Sequence, residues 1–326
     1  MGKSNYIGAI DFGQTKTMIS VFEVSGNIIA KDFLNTNTND AEEHITDACK
    51  KFIVLYEKLG IAFRDFLGVG SSMPGIVDKD KEILVHAPFA QWHDVPAKRI
   101  MKKTLRTDNV EIENDVNASA IGELIFGAAK NHKNFLWVNV ATGIGGAVIN
   151  ENRLLEGDNN FAGEIGHMIV EYDNPKPCPC GNYGCLEAHA SGTAISKEVQ
   201  SACERDHTLR VAFANAGLQE DAKACAVMAM NGDKTCIDIF DKAGMYLGRG
   251  IAAASCLLDP GAVFIGGGVS ESFSLLEKGI KISLNKGVPI LMQNQIIEKT
   301  GLGYDTALYG SAAIVLQRIA GRQQKG

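Results

Sequence analysis

The chain opens on short apolar-rich blocks separated by polar turns. Tyr6 to Ile10, Met18 to Val24 and Ile28 to Leu34 are such blocks, divided by Asp11 to Thr15 and by Ser25-Gly26-Asn27, which predicts three strands. The layout recurs later. Phe135 to Val140 is apolar, Thr142-Gly143-Ile144-Gly145-Gly146 forms a loop, Ala147 to Ile149 resumes the strand, and Asn150-Glu151-Asn152 turns it. Gly13 and Gly143 hold equivalent points in the two stretches, an internal repeat at the scale of a domain rather than of a solenoid. Two related domains, each beginning with a strand–loop–strand hairpin, are therefore expected.

Helical spacing fills the intervals. Ile45, Ala48, Phe52, Leu55 and Leu59 step by three and four onto one face, with Asn39 or Asp40 available as the cap. Further strands are predicted at Phe66 to Val69 and Val110 to Glu113, the second feeding a helix from Val116 to about Gly127. Ile237 to Leu258 reads as a long buried helix stopped by Asp259-Pro260-Gly261. Ala262 to Ile265 is a buried strand, and Thr306 to Ile319 a final helix. Strands alternating with helices define the α/β class. No Pro- or Ser-rich linker separates the halves, so a hinge is expected between them.

Composition narrows the function. The 326 residues suit two domains, and 45% apolar with 21% charged residues is the profile of a folded soluble protein. The net charge of −6 gives no basic footprint for nucleic acid. No apolar run approaches the length of a membrane span. Met1-Gly2-Lys3-Ser4-Asn5-Tyr6 has no signal-peptide core, and Tyr6 stands where a myristoylation signal has Ser or Thr. A cytoplasmic protein is expected, with its eight cysteines as thiols or metal ligands rather than disulfides.

Several constellations carry chemistry. In Asp11-Phe12-Gly13-Gln14-Thr15-Lys16, a glycine lets backbone amides approach phosphate oxygens. Thr15 adds a hydroxyl, Lys16 a cation, and Asp11 a carboxylate able to hold Mg²⁺ through water. A plain polar turn is the competing reading of this loop alone. Thr142, Gly143 and Gly145 in the second loop offer the same chemistry, and two such loops at repeated points argue for phosphate binding. Gly266-Gly267-Gly268 follows a buried strand, with Ser270 as the expected cap of the next helix, and allows backbone to lie against a nucleotide base or ribose. Asp115, in Glu113-Asn114-Asp115, is either the cap of the following helix or a catalytic base near a hydroxyl. Asn114 beside it is placed to hydrogen-bond a sugar hydroxyl. His167 with Cys178, Cys180 and Cys185 supplies one imidazole and three thiolates, a closed tetrahedral set for a structural Zn²⁺, against a chance cluster or a redox pair. Cys49, Cys203, Cys225, Cys236 and Cys256 fall in helical patterns and read as buried thiols.

Together these residues resemble the ROK family of sugar kinases and sugar-responsive repressors, within the actin-like ATPase superfamily, over essentially the whole chain. The Asp11 loop is similar to the family's first phosphate motif, Thr142 to Gly146 to the second, and Ile265-Gly266-Gly267-Gly268-Val269-Ser270 to its adenosine motif. Glu113 to Ala118 resembles the segment carrying the catalytic base, at Asp115. Glu164-Ile165-Gly166-His167, the cysteine cluster and Glu187 resemble its zinc and sugar signature. Met73-Pro74-Gly75-Ile76-Val77-Asp78 and Trp92-His93-Asp94-Val95-Pro96 resemble its glucokinase-like members.

The resemblance implies two actin-like ATPase domains around a central cleft, spanning 1–117 with 310–326 and 118–309. It implies ATP and Mg²⁺ as cofactors, with sugar contacts from Gly75, Asn114, Asp115, Glu164, His167 and Glu187. His167 would serve zinc and sugar through different ring atoms. A homodimer or homotetramer is implied, with a small-molecule sugar as partner and neither nucleic acid nor membrane. The implied activity is transfer of the ATP γ-phosphoryl to a hexose, with a non-catalytic sugar sensor as the alternative. Family repressors carry a helix-turn-helix ahead of the kinase-like part, and the strand beginning at Tyr6 leaves no room for one here. Three positions depart from the pattern: Gln14 replaces a second glycine, Ala141 and Ala147 replace glycines around the second loop, and Phe89 replaces a polar residue expected near the sugar.

Overall fold

A computed structural model describes residues 5–323; the opening Met1–Ser4 and the last three residues lie outside this range. The chain forms two compact units. One holds the residues up to Asn131, Glu156–Phe161 and the chain from Tyr304; the other holds His132–Leu155 and Ala162–Gly303.

The first unit begins with β1 (Tyr6–Phe12), β2 (Lys16–Glu23) and β3 (Ile28–Asn35), joined by the two expected turns. Helix α1 (Ala41–Lys58) follows, capped by Asp40, whose side chain accepts from the Glu43 amide. Then come β4 (Phe66–Met73), the small antiparallel trio β5 (Ile76–Asp78), β6 (Ile83–Ala87) and β7 (Trp92–Val95), helix α2 (Ala97–Leu105), β8 (Val110–Asn114) and α3 (Asp115–Ile125). The main sheet has the order β3-β2-β1-β4-β8, antiparallel across β1–β3 and parallel across β1, β4 and β8. Central β1 is buried and apolar from Ile7 to Ile10 because both faces are covered, and Asp11 comes at its C-terminal end. Edge strand β3 alternates between partly buried and exposed positions because only one face is covered.

The second unit repeats this plan. Its sheet runs β11-β10-β9-β12-β13, from β9 (Phe135–Val140), β10 (Ile144–Asn150), β11 (Arg153–Leu155), β12 (Ala262–Gly266) and β13 (Ile296–Lys299). Again three antiparallel strands are followed by two parallel ones, as the Gly13/Gly143 repeat implied. Between β11 and β12 lie α4 (Leu186–Ala190), α5 (Gly192–Arg205), α6 (His207–Asn215), α7 (Ala222–Met230) and α8 (Lys234–Leu258). Helix α8 starts three residues before the expected Ile237 because Asp233 caps it, and it stops where Asp259 turns left-handed ahead of Pro260. Helix α9 (Phe273–Gly287) packs against α8, where Gly244 and Gly248 let the Leu276 and Ile280 carbonyls approach.

The final α10 (Thr306–Gln323) belongs to the first unit and covers the sheet face opposite α1. It lies so close to β4 that a Cβ at Gly70 would stand 1.8 Å from the Ser311 carbonyl oxygen. It also packs against α3, where Gly122 faces Gly310. All of α3 therefore groups with the first unit, and the sequence-based boundary at 117/118 falls inside this helix. No helix among the described residues is long and apolar enough to cross a membrane.

Candidate active site and metal centre

Strands β1, β4 and β8 run parallel in register, so their C-terminal ends meet at one sheet edge. Asp11 stands opposite Ser72, Ser72 opposite Glu113, and Met73 opposite Asn114. In open α/β sheets that edge is where ligands bind. The Ser72 hydroxyl donates to Asp11 Oδ1 at 2.6 Å, and the Ser72 amide donates to Ser311 Oγ at 3.0 Å. Close packing of α10 on Gly70 thus fixes a hydroxyl that fixes an acid. Burial raises the Asp11 carboxyl from 3.8 to about 6 despite the Ser72 bond, and the charge of Asp305 adds to the rise.

Asn114, not Asp115, caps α3. Its Oδ1 accepts from the Val116 and Asn117 amides, so the reading of Asp115 as the cap is corrected. Asp115 is the first helical residue, and its side chain is free of that duty. The Asn114 Nδ2 group donates to the Gly75 carbonyl at 2.8 Å and to Asp115 Oδ1 at 3.1 Å, which aims the acid. Burial, then the nearby charge of Asp11, lifts Asp115 from 3.8 to about 7. Gly75 has φ +118 and a Cβ there would stand 2.1 Å from the His86 carbonyl, so only glycine fits. Glu113 is neutralised by Lys79 at 2.8 Å, and Lys79 also pairs with Glu156.

The first expected phosphate loop is a tight turn at Gly13-Gln14-Thr15, with Gln14, Thr15 and Lys16 exposed. Asp11 lies in β1 rather than in this loop. The Lys16 ammonium lies over the Phe33 ring, 4.8 Å from its centroid. The second loop is shorter than expected. Gly145 and Gly146 pair with Asn139 and Val138 inside β10, leaving Ala141, Thr142 and Gly143 as the turn. Ladder pairing claims those glycines because their partners on β9 are available. The Thr142 carbonyl is held by both the amide and the hydroxyl of Thr193.

The three glycines after β12 serve different ends. Gly266 packs against the Trp137 ring, Gly267 has φ +86 beside the Val140 carbonyl, and Gly268 faces open space. Ser270 is not the cap of α9. It lies in a short 3₁₀ turn, Gly268–Ser272, and donates to the Gly267 carbonyl, because the tight glycine turn brings that carbonyl within its reach.

In the second unit the ligand atoms of His167, Cys178, Cys180 and Cys185 all lie within 4.8 Å of one another. Cys180 and Cys185 sulfurs are 3.7 Å apart, and Cys178 Sγ lies 3.8 Å from His167 Nδ1. Tetrahedral Zn–S bonds of about 2.3 Å put sulfurs about 3.8 Å apart, which the Cys180–Cys185 separation matches, so one imidazole and three thiols gathered here are of the chemical type that suits zinc. His167 Nε2 points instead toward Glu164, 3.8 Å away. Glu187 Oε2 accepts from the Ile144 amide at 2.9 Å, at the end of the second turn, and its other oxygen lies 3.9 Å from Cys178 Sγ.

Glu171, between His167 and Cys178, is tied to α8 by Arg249 at 2.9 Å and by the Tyr246 hydroxyl at 3.2 Å. Of the five remaining cysteines four are buried; Cys256 is exposed, because the α8 face that carries it is not covered.

Ser72, Ser311, Lys79, Glu171 and Arg249 were not singled out in the sequence. Ser71-Ser72 inside a buried strand was the one available signal. Phe89 packs edge-on to Trp92, with centroids 5.5 Å apart, against the core under α1.

This architecture is a mixed α/β protein of the actin-like ATPase type. Residues 7–318 match the ROK family, and the chain belongs to that family. It is 32% identical to a glucokinase of Thermotoga maritima, over 98% of this chain and 100% of that protein. It is 29% identical to the xylose repressor of Bacillus subtilis, over 97% of this chain and 78% of the repressor. The crystal structure of a ROK family glucokinase from Streptomyces griseus in complex with glucose and AMPPNP is similar over 96% of this chain and 99% of that one, with a TM-score of 0.79 and 27% identity.

Proposed function

We propose that this chain is an ATP-dependent hexose kinase that transfers the γ-phosphoryl to a sugar hydroxyl, the 6-hydroxyl of glucose or a related hexose. The observation that carries the reading is Asp115, a carboxyl aimed by Asn114 and raised to about 7, at the same sheet edge as Asp11. A base poised near neutrality suits abstraction of a hydroxyl proton. The sugar oxygen forms a bond to the γ-phosphorus as its proton passes to an Asp115 carboxylate oxygen, and the bond from that phosphorus to ADP breaks, leaving its electron pair on ADP. The exposed turns at Gly13-Gln14-Thr15 and Thr142-Gly143 offer amides for the phosphates, Lys16 a cation, and Gly268 an open surface for the adenosine. Asp11 is the carboxylate that would hold Mg²⁺, and its raised proton affinity marks unneutralised charge that a cation relieves; Mg²⁺ supplies charge stabilisation to the transferring phosphoryl group.

The roles of Gly75, Asn114, Glu164, His167 and Glu187 toward the sugar rest on the family signature. The hydrogen bonds of Asn114 to Gly75 and Asp115 add a second duty, that of orienting the base. Zinc on His167, Cys178, Cys180 and Cys185 would be structural, since four protein donors leave no open position. A cytoplasmic homodimer or homotetramer belongs to the same reading. Similarity to a xylose repressor supports a second reading, a sugar sensor without catalysis. ADP release over a panel of hexoses, with sugar binding by calorimetry, separates the two. Release with at least one hexose supports the kinase; binding without release with any hexose leaves the sensor.

A further inference from the structure

His44 sits in the first turn of α1 and is buried, away from any functional assignment made above. A buried imidazole needs partners for both nitrogens. Its Nε2 lies 2.8 Å from the Thr17 hydroxyl, and the Asn37 amide donates to its Nδ1 at 3.4 Å. Because the Asn37 N–H can only donate, Nδ1 is the acceptor and Nε2 carries the proton toward Thr17.

Those two partners bracket the Gly13-Gln14-Thr15 turn. Thr17 is in β2, directly after the turn, and is fully buried. Asn37 follows Thr36, which grips the turn from its far side. The Thr36 amide donates to the Thr15 carbonyl at 3.0 Å, and the Thr36 hydroxyl donates to the Gly13 carbonyl at 2.7 Å. In a trans peptide the carbonyl and the following N–H point in opposite directions. Holding the Gly13 and Thr15 carbonyls against Thr36 therefore turns the Gln14 and Lys16 amides away from it. The ring is itself wedged between Phe12 and Trp92, with centroids at 5.6 and 5.9 Å.

We propose that His44 is a positioning residue for nucleotide binding: by joining Thr17 to Asn37 it sets the Gly13–Lys16 turn so that its amides face the phosphates. The second unit holds its own turn by Thr193 on the Thr142 carbonyl, so carbonyl pinning by a threonine occurs at both points of the repeat. Among the described residues, the first turn's pin is the one backed by an imidazole, that of His44.

The proposal rests on the nucleotide reading above. Its test is calorimetric titration of the full chain with ATP and Mg²⁺, and separately with glucose, for the parent, His44→Leu, His44→Gln and Thr17→Val. His44→Leu keeps an apolar filling between Phe12 and Trp92 but loses both hydrogen bonds. The expected result is ATP binding weakened about five- to tenfold, the effect of a lost positioning hydrogen bond, with glucose binding changed by less than about twofold. Gln, whose amide restores a donor, should recover part of the loss. A folded His44→Leu that binds ATP as the parent does overturns the proposal. If that variant fails to fold, Thr17→Val reads the same link, and unchanged ATP affinity there overturns it equally. A parent that binds no ATP overturns the nucleotide reading and this inference together. A parent that binds ATP beside equally tight variants overturns this inference alone.

Discussion

Replacing Asp115 by Asn should give a protein that is more stable and nearly inactive. Asn keeps the size, and its Oδ1 can still accept from Asn114 Nδ2, so local geometry is retained. What disappears is a carboxylate forced to ionise beside Asp11. Its carboxyl stands at about 7 rather than 3.8. At about 1.4 kcal/mol per tenfold change in proton affinity this amounts to at most about 4 kcal/mol, and the partial solvent contact of Asp115 brings the expected range to about 2–4 kcal/mol. The folded value is the higher one, so the folded state holds this proton more tightly than the unfolded chain. The stability the group contributes is complete below about pH 4 and is lost as pH rises through about 7.

The Asn variant should therefore exceed the ligand-free parent most clearly at pH 8, with the gap narrowing toward pH 4. Urea unfolding at a series of pH values measures it. Turnover followed by ADP release should fall about 10²–10⁴-fold, the usual cost of removing a general base, while calorimetry shows sugar still bound. An Asn variant that turns over at the parental rate removes Asp115 from the mechanism. A pH–stability profile identical to the parent's would refute the electrostatic argument behind it.

Purified protein should carry close to one zinc per chain, and chelation should lower the melting temperature, since a structural site contributes its binding energy to folding; a metal-free protein with full activity refutes this. Gln14→Gly should leave ATP affinity unchanged or tighter, because Gln14 is the bulky, exposed residue of the first turn. A strong loss on titration would show that the Gln14 amide itself serves the phosphate. Gly266→Ala places a Cβ 2.2 Å from a Trp137 ring carbon and should cost about 1–3 kcal/mol in urea unfolding, the range for overpacking. Parental stability would mean that the ring moves freely.

Much of this protein can be read along its chain. The apolar blocks at Tyr6 and Phe135, each followed by a glycine turn and a second strand, disclosed a duplicated α/β plan. Strand and hairpin signals are local, and a repeat only requires comparing the sequence with itself. The cluster of His167, Cys178, Cys180 and Cys185 was legible for a related reason: three of its four members lie within eight residues, so short-range geometry alone brings their sulfurs together. The Gly75 contact with Asn114, by contrast, joins residues 39 positions apart; the family resemblance implied a sugar contact for each, and nothing along the chain linked the two to each other.

What tertiary structure decided is which residue of a local group does which job. Asn114 and Asp115 are adjacent and both able to cap a helix. Only the backbone direction leaving β8 gives the cap to Asn114 and leaves Asp115 as an acid that Asn114 orients rather than a cap. Gly145 and Gly146 looked like loop because glycine is ambiguous alone, and the ladder to β9 made them strand. The support of Asp11 by Ser72 and Ser311, and of the first turn by Thr36, Thr17 and His44, spans separations of up to 239 residues. Those contacts exist because α10 returns to β4 and α1 closes over β2. No local pattern of polar and apolar positions encodes such a meeting, since each serine or histidine reads by itself as one more polar residue.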